Sequence, residues 1–178
     1  MKQVTQPHKQ EKDSKYAIKE DLIFLLIKIG ILVGLLLATF IFIFGVTRNI
    51  GNSMFPAIKD GDLALYYRLE SDYNVSDVVI IEKDGETQIR RIIAKDGDTV
   101  DITSDGLKIN GYLQQETGIY TETLPYKEGV TFPLTLKKDE YFVLGDDRTN
   151  TKDSRIYGAV HKSEIKGSVM TLLRRRGI

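Results

Sequence analysis

The sequence predicts a mainly β domain carried on one N-terminal transmembrane helix. Three observations lead there: a long apolar run near the start, the loss of helical period after Val46, and short Val-, Ile-, Thr- and Tyr-rich runs separated by turn dipeptides thereafter. The chain has 178 residues, and with the membrane segment set aside about 130 remain, enough for a single core. The expected organisation is a disordered cytoplasmic leader over 1–21, the transmembrane helix over 22–46 and an extracytoplasmic β-rich domain over 47–178.

The leader is polar, rich in Lys and Gln, and lacks the apolar residues a core needs. From Ile29 to Val46 every residue is apolar or small except Thr39, and Leu22 to Ile27 extends the run past Lys28, whose ammonium can snorkel to the head groups. A cleaved secretory signal is the competing reading. The long charged leader, the length of the apolar run and the absence of a small-x-small site at Arg48-Asn49-Ile50-Gly51 argue for a plasma-membrane anchor. Lys2, Lys9, Lys12, Lys15 and Lys19 precede the run, against Arg48 and Lys59 shortly after it, so the N-terminus is expected in the cytoplasm.

Beyond the anchor, Asp-Gly at 60–61, 84–85, 96–97 and 105–106, and Asn-Gly at 110–111, mark tight turns. Between them the strand candidates are Leu63 to Tyr67, Val78 to Glu82, Gln88 to Ala94, Thr99 to Thr103, Leu107 to Ile109 and Tyr141 to Leu144. Gln114 to Leu134 has no regular pattern and reads as an excursion, and Arg174, Arg175 and Arg176 read as part of a solvated tail.

Lysine plus arginine and aspartate plus glutamate both total 25, so no net field exists to draw in nucleic acid. The chain has no cysteine and only two histidines, His8 and His161, far apart in sequence. Neither a metal site nor a cofactor is expected.

Two polar segments carry the candidate chemistry. Gly51-Asn52-Ser53-Met54-Phe55-Pro56 places a serine in a turn just past the membrane run, where Pro56 fixes φ and Gly51 permits tight geometry. Gly145-Asp146-Asp147-Arg148-Thr149-Asn150-Thr151-Lys152-Asp153-Ser154-Arg155 follows an apolar strand and is dense in hydrogen-bonding side chains. Its plainest reading is a rigid polar loop, with Asp153 paired to Arg155 and Asp146 capping a turn.

In order along the chain, Ser53-Met54-x-Pro56, Arg91-Ile92-Ile93 leading to Gly97-Asp98, and Gly145-Asp146-x-Arg148-x-Asn150-x-x-Asp153-Ser154-Arg155 resemble the motifs of the bacterial type I signal peptidase family. Leu107-Lys108-Ile109-Asn110-Gly111 resembles that family's Asn-Gly hairpin. The resemblance implies a signal-peptidase-like β fold at the outer membrane face and a Ser-Lys dyad that cuts signal peptides after small-x-small sequences. It implies Ser53 as nucleophile, with its N–H in the oxyanion hole, and Thr151 where a family serine hydrogen-bonds the catalytic lysine. Asp153 and Arg155 stand where an ion pair supports the loop, beside Gly145, Asp146 and Arg91. Met54, Phe55 and Pro56 are expected along the peptide groove and membrane-facing surface. Asp147 replaces an asparagine, and Ser76-Asp77 replaces the usual Gly-Asp.

One departure is serious: the family's base lysine immediately precedes an arginine, and here that pair is Arg90-Arg91. A lysine serves as base once burial lowers its pKa from about 10.4 toward neutral. Holding a guanidinium neutral at pH 7 would cost about 7 to 9 kcal/mol, from a pKa of roughly 12.5 to 13.8. Lys95 lies five positions beyond Arg90 and points to the opposite strand face. Lys83 and Lys152 are the remaining substitutes, and His161 lies outside the motif.

Two functions follow. One is an active signal peptidase that uses Ser53 with a substitute base. The other, favoured by Arg90, is a membrane-anchored member with impaired or absent peptidase activity that holds an exported preprotein or surface protein, such as a pilin. Degraded-dyad relatives in Gram-positive bacteria with this role in pilus or surface-protein assembly are the analogy behind it. Pairing of an extended peptide to a sheet edge needs no base.

Overall fold

A computed structural model describes residues 7–174 of the chain. The chain up to Phe42 forms one compact unit and the residues from Ile43 onward a second; helix α1 is Pro7–Ile43. Its Lys19–Ile43 portion is long and apolar enough to cross a membrane: 25 residues, about 37 Å at 1.5 Å per residue. The large apolar side chains from Leu22 to Phe42 are exposed, and Thr39, polar within them, donates its hydroxyl to Leu35 O at 2.8 Å. The helix begins within the expected leader and stops short of Val46, because Phe44–Arg48 is a strand, β1. Gly45 and the β-branched Val46 and Thr47 favour extension there, and pairing with the next strand satisfies the backbone.

The second unit is mostly β, as the sequence predicts. After β1 come β2 (Leu63–Tyr67), β3 (Val78–Lys83), β4 (Glu86–Ala94), β5 (Thr99–Thr103), β6 (Gly106–Ile109), β7 (Tyr112–Leu113), β8 (Leu134–Thr135), β9 (Glu140–Leu144), the one-turn α2 (Ser154–Tyr157), β10 (Val160–His161) and β11 (Ile165–Leu173). All pairings are antiparallel. A seven-stranded sheet runs β1-β2-β11-β3-β4-β9-β10 and a four-stranded one β7-β6-β5-β8. Asp84 (φ 53°) and Gly85 (φ 79°) form the two-residue turn between β3 and β4, and Asn110 and Gly111 do the same between β6 and β7.

Strand alternation sends β3 to both faces of the large sheet: Val79 and Ile81 pack with Tyr73, Ile92 and Val143, while Ile80 packs with Met54, Ile58 and Ile89. A third cluster joins the small sheet through Val100, Ile102 and Leu107 to Phe142 and Leu144 of β9. The sequence reading missed β11, which lies between β2 and β3 in the interior of the large sheet. Of the tail expected over 172–178, Leu172 and Leu173 instead end this strand, Arg174 follows it exposed, and Arg175 and Arg176 lie outside the described residues. Gly167 permits the irregularity in β11: its φ is 152°, and a Cβ there would lie 2.1 Å from Tyr67 O.

Ser76, standing for a glycine in the family's pattern, has φ 79°, a left-handed conformation that costs an L-residue about 1 to 2 kcal/mol. Its N–H donates to Ile92 O at 2.8 Å and its carbonyl accepts from Arg91 Nη1 at 3.0 Å, so the backbone is held there. Ser76→Gly should stabilise the protein by up to about 1 kcal/mol, and Gly167→Ala should destabilise it by about 2 kcal/mol or more. Denaturant unfolding of the detergent-solubilised chain checks both.

Candidate active site

The serine turn is fixed from three directions. Asn49 Nδ2 donates to Gly51 O and Lys59 O, each at 3.0 Å, and Gly51 N donates to Asp60 Oδ1 at 2.8 Å. Ser53 O accepts from Asp147 N at 3.0 Å and from Thr151 Oγ1 at 3.2 Å. That approach requires Gly145, where a Cβ would lie 2.4 Å from Thr151 Oγ1 and 2.6 Å from Ser53 O. Met54, expected along the groove or membrane-facing surface, is fully buried with Ile58 and Tyr66, because the turn sends it inward to cover the sheet. Phe55 is half exposed.

Arg90 reaches the serine from β4. Its Nη1 donates to Ser53 Oγ at 3.1 Å and to Ile89 O at 2.6 Å, while Nε and Nη2 donate to Lys152 O at 3.2 and 2.8 Å. Burial, at 6 % exposure, pulls its pKa below the ordinary value, against the opposing influence of Tyr157 and Asp153. A guanidinium that starts so high remains charged near neutral pH and has no lone pair to accept a proton. Thr151, expected to bond the group at position 90, instead gives its hydroxyl to Ser53 O and Asp147 O, because Gly145 draws it under the serine turn.

The substitute bases are engaged elsewhere. Lys83 Nζ pairs with Glu164 at 2.8 Å, and the half-exposed Lys152 Nζ pairs with Asp84 at 3.1 Å. Lys95 follows the end of β4, and His161 caps the short helical turn Lys162–Glu164. Among the described residues, Arg90 is the one side chain hydrogen-bonded to Ser53 Oγ.

The loop behind the site is a buried ionic lattice. Asp153, fully buried, accepts from Arg155 Nε at 2.9 Å and Nη2 at 2.8 Å, and from Gly145 N at 3.3 Å. Arg155 also donates to Arg148 O and Leu124 O and lies over the Tyr126 ring, 4.6 Å from its centroid. Arg148 donates to Gly145 O, Thr123 and Glu116. Asp146, read as a turn cap, instead takes a bidentate pair from Arg91 at 2.8 and 2.6 Å, which raises the Arg91 pKa. The roles of Glu116 and Thr123 were invisible in sequence because nothing local ties the excursion to Arg148.

A groove of about 600 Å³ runs between Thr47–Ser53 and Glu86–Arg90, with Asn150 and Lys152 at one side. Over 86–90, β4 pairs with β3 alone, since β9 begins its pairing at Arg91, so no strand covers its other edge, where Ile89 O is held by the Arg90 guanidinium. Gln88, buried in the groove wall, has an Oε1 without a partner among the described residues. No cluster of metal-ligating residues occurs among the described residues.

A serine beside an uncovered strand edge, in a β domain that follows an apolar N-terminal helix in the chain, fits the membrane-associated serine peptidase class. The chain matches the signal peptidase, peptidase S26 family over residues 22–173, and it belongs to that family. It is 31 % identical over 151 residues to signal peptidase I of Bacillus amyloliquefaciens, covering 78 % of this chain and 82 % of the relative. To signal peptidase I T of Bacillus subtilis it is 33 % identical over 157 residues, covering 80 % and 79 %. A crystal structure of a signal peptidase I from Enterococcus faecalis superposes with a TM-score of 0.46 at 27 % identity, covering 57 % of this chain and 98 % of that one.

Removing one partner of a buried ion pair leaves the other charge stranded. Asp153→Ala should therefore destabilise the protein by about 3 to 5 kcal/mol, read from the shift of its denaturant midpoint.

Proposed function

We propose that this chain is a membrane-anchored, signal peptidase I-like protein that receives exported polypeptide in its groove and holds it with little or no cleavage. One observation carries the reading: Arg90 donates to the Ser53 hydroxyl, where a base must accept from it. The uncovered edge of β4 offers main-chain hydrogen bonds to an extended peptide, and Gln88 Oε1 is a buried acceptor that a peptide donor would satisfy. Ser53 is assigned the nucleophile position, Arg90 the general-base position, and Thr151, Asp153, Arg155, Asp146 and Arg91 the support of the loop. Phe55 and Pro56 border the apolar surface.

The names of the relatives support preproteins as the polypeptide class; pilins or other surface proteins as clients rest on the sequence analogy alone. The lysine bias before the apolar run supports a cytoplasmic N-terminus and a β domain on the outer side. This reading invokes no cofactor.

The test is cleavage of a purified preprotein in detergent by the native chain, Ser53→Ala and Arg90→Lys. The native chain should cut no faster than Ser53→Ala. Arg90→Lys should raise the rate roughly 10²- to 10⁴-fold, the usual contribution of a positioned base. Ser53-dependent cutting by the native chain would establish a substitute base and overturn the proposal.

A further inference from the structure

Arg90 differs from the arginines around it. Arg91 pairs with Asp146, Arg148 with Glu116 and Arg155 with Asp153. The Arg90 guanidinium, also buried, has carbonyls and a hydroxyl as hydrogen-bond partners, and no carboxylate among the described residues forms an ion pair with it. Asp153 commits both oxygens to Arg155 and Gly145. A buried cation with no carboxylate in contact is costly even with Asp153 and Glu86 acting on it from further off, and this one lines an open groove.

Ser53 adds donors at the same place. Its Oγ accepts from Arg90, while neither its hydroxyl proton nor its N–H has an acceptor among the described residues. The complement to these donors and that charge is an anion with two oxygens. The adjacent uncovered edge of β4 selects which anion: an extended main chain paired along 86–90 and ending at Ser53 brings its terminal carboxylate to Arg90. A chain that continues past Ser53 presents a neutral amide there and leaves the cation uncompensated.

We infer that the groove recognises peptide carboxyl termini, taking an extended peptide that ends in a free carboxylate at Ser53, with Arg90 as counter-charge, in preference to the same sequence continued. The inference rests on the non-cleaving groove proposed above and names its ligand. Its supply is the amino-terminal fragment of an earlier endoproteolytic cut, which carries the newly formed carboxylate.

Fluorescence anisotropy with the full chain in detergent tests it, using one labelled peptide ending Ala-Gln-Ala in three forms: free acid, terminal amide, and extended by several residues. The acid should bind roughly ten-fold or more tightly than the amide, as loss of a charge-assisted contact implies. Arg90→Gln should bring the two within about two-fold. Equal binding of acid and amide by the native chain overturns the inference and leaves the non-cleaving groove standing. If Arg90→Gln unfolds, the native acid–amide comparison decides alone. An acid preference that survives in folded Arg90→Gln removes Arg90 as the counter-charge and overturns the inference too. Cleavage of the extended peptide overturns the non-cleaving reading, while the acid–amide comparison still decides the inference. Failure of all three forms to bind overturns both.

Discussion

The buried pair of Asp153 and Arg155 is the interaction on which the geometry of the site depends. Two charges removed from water are tolerable only when their remaining valences are met, and meeting them ties distant segments together. Asp153 reaches back to the backbone of Gly145, and Arg155 reaches the carbonyls of Arg148 and Leu124. That fixes the loop against which the Ser53 turn is built, through Asp147 N and the Thr151 hydroxyl. The pair is itself weak evidence for net stability. Its contribution is to leave the loop one satisfied arrangement, with the alternatives each stranding a charge.

Within that frame, position 90 decides the chemistry by the difference between two cations. A buried lysine can lose its proton and then holds a lone pair toward a hydroxyl. A guanidinium in the same place keeps its proton, and its planar fork spreads over several acceptors. Here it bridges β4, the serine and the Lys152 carbonyl. The guanidinium therefore cross-links the site's parts, and the hydroxyl it touches is an acceptor in that contact.

Much of the fold was legible in sequence because its turns are chemically explicit. Asp84-Gly85 and Asn110-Gly111 adopt positive φ at both positions, and runs rich in β-branched residues lie beside the first of them. β2 and β5 fall where the pattern puts them. β11 escaped because Gly167 and the register shift between Val169 and Thr171 break the period that marks a strand. β1 escaped because Phe44, Gly45 and Val46 read as more of the apolar run, and only pairing with β2, a long-range fact, separates them. In the site, the pairing of Asp153 with Arg155 was legible, since two residues of spacing suffice. The Arg91–Asp146 pair spans fifty-five positions and left no local trace. Met54 illustrates a further limit: next to an exposed Phe55, its inward direction is set by the turn, which composition does not encode.

The excursion from Gln114 to Leu134 has almost no regular structure, yet Glu116, Thr123, Leu124, Tyr126 and Val130 are all bonded to the loop from Arg148 to Arg155. Local opening energies follow such connections more than secondary-structure labels. The excursion and the loop thus form one cooperative unit, and amide protons in an irregular segment inherit the exchange protection of a buried charge cluster. A binding event that tightens the loop would slow exchange across the excursion, several of whose residues never meet the ligand.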